Sequence, residues 1–233
     1  MDKKILSLIL FFLGSAGLLQ AQNPKLSGKE TKEGWVLLFD GKTTNGWETP
    51  DGKPVPSAWE VKDGTISTTK SAKGSDIVTV NEYTDFELSL DFKIEPGTNS
   101  GIKYFYTHYT VGGNLGLEYQ VLDDQLAEDN KQANHLCGSF YDVLAPDTTV
   151  KKVKSPGKWN NVRIVAKGKN VEHWLNGKKI LGFTRGSKVY TDAVAKSKFN
   201  KTQPAFGLVE KGKILLQDHG GSASFRNIKI KLI

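Results

Sequence analysis

Cysteine is almost absent from this chain: Cys137 is the only one in 233 residues. No internal disulfide can form, so stability has to come from packing, which a chain of this length can supply without staples. Cys137 itself reads either as a nucleophile or as a buried small hydrophobe, the second being the ordinary role of an unpaired cysteine. Long apolar runs are absent too, except at the start. There the run 5–13 continues through small residues to Leu19, and Ser7, Gly14, Ser15 and Gly17 dilute it. A membrane anchor needs about 20 apolar residues. Lys3 and Lys4 precede the run and Ala21 follows it, which gives the charged start, apolar middle and small-residue exit of a secretory signal peptide. The expected division is a signal peptide over 1–21 and a single domain over 22–233, periplasmic or secreted, with no membrane span after cleavage. No cysteine lies near the exit to carry a lipid by the usual bacterial lipobox.

Further absences narrow the chemistry. The formal charge is +7, but the lysines scatter through turns such as 151–154 and 167–169. No basic helix face or aromatic ribonucleoprotein motif accompanies them, so nucleic acid is not an expected partner. A Gly-x-Ser-x-Gly elbow is missing, which leaves a Ser–His–Asp triad unsupported. Gly112-Gly113-Asn114-Leu115-Gly116 lacks the lysine and following helix of a phosphate loop and reads as a turn entering a strand. There is no His-x-x-x-His, no clustered Asp loop and no internal repeat. Helical periodicity is missing as well: 122–135 and 186–203 are polar and irregular, and read as loops with one helical turn each.

Alternation at period two is what the chain has in quantity. Phe86, Leu88, Leu90, Phe92 and Ile94 alternate with Glu87, Ser89, Asp91 and Lys93. Leu115, Leu117, Tyr119 and Val121 alternate with Gly116, Glu118, Gln120 and Leu122, and similar runs end at Ile164 and Leu232. Gly, Pro, Asn or Asp bound each run, and Asn176-Gly177 is a strong hairpin signal, because both central residues of that turn need positive φ. Many short strands in a chain of this size predict an all-β fold, a two-sheet jelly-roll sandwich. The five tryptophans read mostly as core, with Trp174 and its neighbour His173 facing opposite ways.

In a sandwich, the polar partner of each alternation faces outward, and a curved sheet turns that face into a groove. Glu118 and Gln120 share one face of a strand, Gln217 and His219 share a face near the end of 214–219, and His173 lies within 171–175. Carboxylate, carboxamide and imidazole groups on separate strands suit sugar hydroxyls, which both donate and accept hydrogen bonds. Tyr141 adds an aromatic candidate. An ordinary glycosidase wants two carboxylates flanking the bond; Glu118 has no second acid on its strand, and nothing selects among Asp123, Asp124 and Asp142. A divalent ion held by His173, His219 and Glu118 is a further reading.

These segments resemble a known family. Gly34-Trp35-Val36-Leu37-Leu38-Phe39-Asp40-Gly41-Lys42 with Gly46-Trp47, then Asn99-Ser100-Gly101-Ile102, Leu117-Glu118-Tyr119-Gln120-Val121-Leu122-Asp123, Gly138-Ser139-Phe140-Tyr141-Asp142, Lys158-Trp159-Asn160, His173-Trp174-Leu175-Asn176-Gly177, Leu216-Gln217-Asp218-His219-Gly220 and Phe225-Arg226-Asn227-Ile228 look like the 3-keto-disaccharide hydrolase family, formerly a domain of unknown function. The resemblance implies a concanavalin A-like jelly roll acting on small glycosides whose glucose unit is oxidised at C3. A ketone there acidifies the hydrogen at C2, so a base can remove it and expel the C1 substituent; water adding back gives net hydrolysis. Carried onto matching positions, His173 or Glu118 is the base, and Gln120, Gln217 and His219 hold the sugar, with Asp123 and Tyr141 behind them. The family segment after Asn-Ser-Gly often carries an arginine, where this chain has Lys103 and Tyr104. The rival reading from a different class is a non-catalytic lectin-like protein of the cell envelope, since the same groups could bind an unreacted glycan.

Overall fold

Period-two segments need strand partners and an apolar face to bury, and antiparallel pairing into two sheets meets both needs. The computed structural model describes residues 23–68, 75–202 and 204–233; the signal-peptide expectation for 1–21 lies outside them. In chain order the strands are β1 (Trp35–Leu37), β2 (Trp47–Glu48), β3 (Trp59–Lys62), β4 (Thr65–Thr68), β5 (Ile77–Thr79), β6 (Phe86–Ile94) and β7 (Asn99–Tyr109). They continue as β8 (Gly113–Leu122), β9 (Asn160–Lys167), β10 (Asn170–Leu175), β11 (Lys178–Thr184), β12 (Lys213–Leu216) and β13 (Ala223–Leu232). One sheet runs β11-β10-β9-β6-β13-β4-β3, with β1 also paired to β13; the other runs β2-β5-β12-β7-β8. The fold is the expected all-β sandwich.

The alternations give the core directly. Phe86, Leu88, Leu90 and Phe92 of β6 are buried, and so are Ile102 and Tyr104 of β7 and Leu117, Tyr119 and Val121 of β8. Each such side chain contributes roughly 1.5–3 kcal/mol when withdrawn from water. Turn chemistry holds as well: Asn176 (φ 49°) and Gly177 (φ 80°) join β10 to β11. Cys137 is buried, and burial pushes its thiol up to about 12, so it is the inert small hydrophobe. Trp35, Trp47 and Trp59 are core, whereas Trp159 and Trp174 are half-buried under Arg226 and Arg163 at 4.1 and 4.8 Å.

The helical content of 186–203 exceeds expectation. Helix α2 (Lys188–Ala195) runs for two turns, followed by a 3-10 turn at Asn200–Thr202. Ser187 caps α2 by accepting from the Tyr190 N–H at 3.3 Å, and Tyr190 and Val194, one turn apart, bury the inner side. Only these two positions of the helix are buried, and the exposed Val189 blurs the period. A short helix, α1 (Gly28–Lys32), carries a Ser27–Glu30 capping box and belongs to no element expected from the pattern.

Candidate functional site

Antiparallel partners directly opposite each other share a face of the sheet, so the register alone assembles a site. Val78, Leu215, Lys103 and Glu118 form one row across β5, β12, β7 and β8 on the face turned away from the core. The next row carries Gly101 opposite Gln120, with the Gln217 N–H donating to the Gly101 carbonyl at 2.9 Å. The edge of β8 is extended by 138–141: Gln120 N–H donates to Ser139 O at 3.2 Å and Tyr141 N–H to Glu118 O at 3.0 Å. Tyr141 therefore continues the Glu118 row. It also lines a cleft of about 550 Å³ together with Asn99, Asp129, His219 and Gly220.

Glu118 is the chemical centre of this face. It is 5 % exposed, and Lys103 Nζ lies 3.7 Å from its Oε2. Burial raises its pKa, and the charges of Lys103 and Lys198 offset only part of that rise. Gln120, turned with its nitrogen toward Glu118, donates to Oε1 at 3.1 Å and to Ser100 O at 3.3 Å. Lys198 Nζ sits 4.2 Å from the centre of the Tyr141 ring, and burial lowers its pKa against the pull of Glu118. Asp76, two residues before Val78, accepts from the Asp218 N–H at 2.9 Å; burial raises its pKa, and its charge acts on Glu118. A carboxylate with a raised pKa can take up a proton near neutral pH, and flanking ammonium groups can stabilise negative charge that develops beside it.

Gly101 makes room for the carboxylate. A Cβ there would fall inside contact distance of Oε1 and Cδ of Glu118. Gly101→Ala should therefore fold normally yet lose about 100-fold in turnover, since a displacement near 1 Å is enough for that. Steady-state kinetics beside a thermal melt test this, and a variant with wild-type kcat would show that Glu118 need not sit where it does.

Glu118, Gln217, His219 and Tyr141 come together as expected, with His219 exposed at the cleft and its charge felt by Glu118. Other expectations fail. His173 is 0 % exposed and lies on the inner face of β10 with Val171 and Leu175. Its ring packs against Tyr104 and Tyr119, Nε2 accepts from the Tyr104 hydroxyl at 2.7 Å, and Nδ1 donates to Gly138 O at 3.0 Å. With both nitrogens engaged in the core, it can neither reach a substrate nor join Glu118 and His219, which lie beyond the other sheet. The metal trio does not assemble, and among the described residues no group of three or more His, Cys, Asp or Glu side chains is placed to hold an ion. Asp123 is also structural: it is 4 % exposed and caps a turn by accepting from the N–H groups of Gly97 and Gln125 at 2.8 and 3.0 Å. Gln120 is 1 % exposed and orients Glu118 rather than lining the cleft. Asp76 and Lys198 were missed because long-range register and loop packing, not any local spacing, bring them to Glu118.

Known proteins share this sequence pattern and this fold. Residues 34–231 match the family described as 3-keto-alpha-glucoside-1,2-lyase-like domain. A protein of Bacteroides thetaiotaomicron named 3-keto-disaccharide hydrolase is 32 % identical over 94 % of this chain and 85 % of its own length. A crystal structure from Parabacteroides distasonis ATCC 8503, provisionally named a glycosyl hydrolase, superposes with a TM-score of 0.80 at 33 % identity, covering 91 % of this chain and 100 % of that one. A Bacillus subtilis protein with a galectin-like fold shares the architecture alone, with a TM-score of 0.50 at 16 % identity over 90 % of this chain and 93 % of its own. With the sandwich, the cleft and the buried Glu118 next to Tyr141 already in place, these matches make the chain a carbohydrate-active enzyme belonging to the 3-keto-alpha-glucoside-1,2-lyase-like domain family.

Proposed function

We propose that this protein cleaves 3-keto-glucosides or 3-keto-disaccharides by base-catalysed elimination, and that it does so outside the cytoplasm after loss of 1–21. The observation that carries the reading is Glu118: a deeply buried carboxylate of raised pKa with the Lys103 ammonium 3.7 Å from its Oε2. Glu118 takes the hydrogen from C2, and the C2–H electron pair forms the C1=C2 double bond as the C1–O bond breaks. The C3 oxygen carries the negative charge in between, where Lys103 and Lys198 supply compensating charge. The departing oxygen takes a proton from the protonated Glu118 or from water. Water adding across C1=C2 then returns hydrogen to C2 and hydroxyl to C1, which completes a net hydrolysis. His219, Gln217 and Tyr141 hold the sugar at the cleft.

Reaction in D2O tests this directly. Incubation with 4-nitrophenyl 3-keto-β-glucoside or 3-keto-sucrose should release the leaving group and place deuterium at C2 of the early product. A hydrated product carrying only protium at C2 would rule out elimination, whereas an unhydrated enone, which has no hydrogen at C2, would mark elimination without re-addition of water. Because burial also raises the pKa of Asp76 and its charge acts on Glu118, a two-carboxylate glycosidase is the second reading, and equal cleavage of the unoxidised glucoside would favour it. Binding without release would leave the lectin reading.

A further inference from the structure

Beside the cleft lies a polar cluster centred on His135, a residue with no part in the chemistry above. His135 ends a 3-10 turn (Ala133–His135) and is buried. Its Nδ1 is 2.7 Å from Asp129 Oδ1 and its Nε2 is 3.0 Å from Asp142 Oδ1. Ionised carboxylate oxygens only accept hydrogen bonds, so both ring nitrogens have to carry hydrogen. That is an imidazolium; a neutral ring would set a lone pair against one of the two carboxylates. The second oxygen of each carboxylate continues the network toward the site. The Tyr141 hydroxyl donates to Asp129 Oδ2 at 2.8 Å, and the Lys198 backbone N–H donates to Asp142 Oδ2 at 2.7 Å. Tyr141 is the cross-strand neighbour of Glu118, and Lys198 Nζ lies over the Tyr141 ring. The His135 ring itself packs on Tyr141 with centroids 4.6 Å apart. Asp142 adopts a φ of 61°, a left-handed conformation that an ordinary residue avoids, and its N–H is tied to Asn134 O at 2.9 Å.

We propose that His135 is a positioning residue: as an imidazolium it locks Asp129 and Asp142, and through them it fixes Tyr141 and Lys198 against Glu118. This rests on the elimination reading, which gives Glu118 a task that needs alignment. The charged and titratable groups facing the ring are Asp129, Asp142 and Tyr141, with Lys198 and Glu118 behind them. Burial disfavours the charged ring, but hydrogen bonds to Asp142 and Asp129 outweigh it and raise the pKa of His135 above the ordinary value. A raised folded-state pKa means the lock is complete below the ordinary histidine range and is lost as pH rises through the folded value. The pH–rate profile should therefore have an alkaline limb that belongs to His135 and an acid limb that belongs to Glu118.

Asp142→Asn provides the decisive test, because it removes the need for the second proton while keeping the shape. The carboxamide introduced there can donate from its nitrogen to a neutral Nε2 of His135, and its oxygen still accepts from the Lys198 N–H. The alkaline limb should vanish or move in this variant, whatever its turnover at neutral pH. His135→Gln should lower kcat about tenfold or more with a smaller change in KM, as expected for lost alignment, and should lose the same limb. Side-chain ¹⁵N NMR titration follows the ring without any substrate: in the wild type both nitrogens should stay protonated above the ordinary histidine range, and the Tyr141 ring signals should shift at the same midpoint. An ordinary or lowered His135 midpoint, or an unchanged alkaline limb in Asp142→Asn, overturns the proposal. If the wild type releases nothing from a 3-keto-glucoside, the elimination reading falls, and the NMR titration still decides on its own whether the lock exists.

Discussion

Glu118→Gln should reduce release of the leaving group by about 10²–10⁴-fold, the usual contribution of a positioned general base, without loss of stability. The two halves of that result have one cause. Burial raises the Glu118 pKa, so the folded protein binds this proton more readily than the unfolded chain does. Stability is then greatest when the carboxyl is protonated and declines as pH rises through its folded value. Glutamine removes that penalty and keeps the volume. A melting temperature at or above that of the wild type, with turnover nearly gone, is the expected pair of measurements. Full activity in the variant would mean that another group takes the C2 hydrogen, and a large drop in melting temperature would mean that Glu118 is mainly structural.

His173→Ala should do the reverse in kind: it should act on the fold. The ring is enclosed by Tyr104, Tyr119 and Phe183, and its loss leaves a cavity as well as an unpaired Tyr104 hydroxyl and Gly138 carbonyl. Aromatic-to-alanine changes in cores cost about 3–5 kcal/mol, which is about 10 °C or more in a domain of this size. Calorimetry reads it. Acid should also find this residue. Its pKa is lowered to about 4, chiefly by burial, so between the ordinary histidine value and that point only the unfolded chain gains a proton. Stability is therefore held above the ordinary value and falls as pH drops toward 4, by roughly 3 kcal/mol over the interval. A His173→Ala protein that melts with the wild type but turns nothing over would restore the residue to the reaction.

How far the sequence carries can be seen at these same positions. The period-two run 86–94 gives β6, and Asn176-Gly177 gives its hairpin, because both signals are local and each has one physical solution. Glu118 and Gln120 share a face by the same arithmetic. His173 was legible too: it falls in step with Val171 and Leu175, an apolar set, so its phase places it in the core despite its polarity. Gln120 and Asp123 could not be placed without knowing which loops cover β8. Lys103 reaches Glu118 through the β7–β8 register, while Asp76 and Lys198 arrive from segments with no sequence link to it. The Asp129–His135–Asp142 cluster sits in polar, aperiodic chain, where spacing carries no information and only the folded path brings the three together.

The pairing of 138–141 along β8 has an outcome for the molecule in bulk. An open β8 would present a row of unmet amide and carbonyl groups, the usual template for edge-to-edge association. The same short stretch that delivers Tyr141 to the cleft occupies three of those groups, the Gln120 N–H and the Glu118 and Gln120 carbonyls. Loosening it to admit a bulkier ligand would thus also unseal a sticky margin, so engineering this cleft and keeping the protein dispersed at high concentration are a single problem.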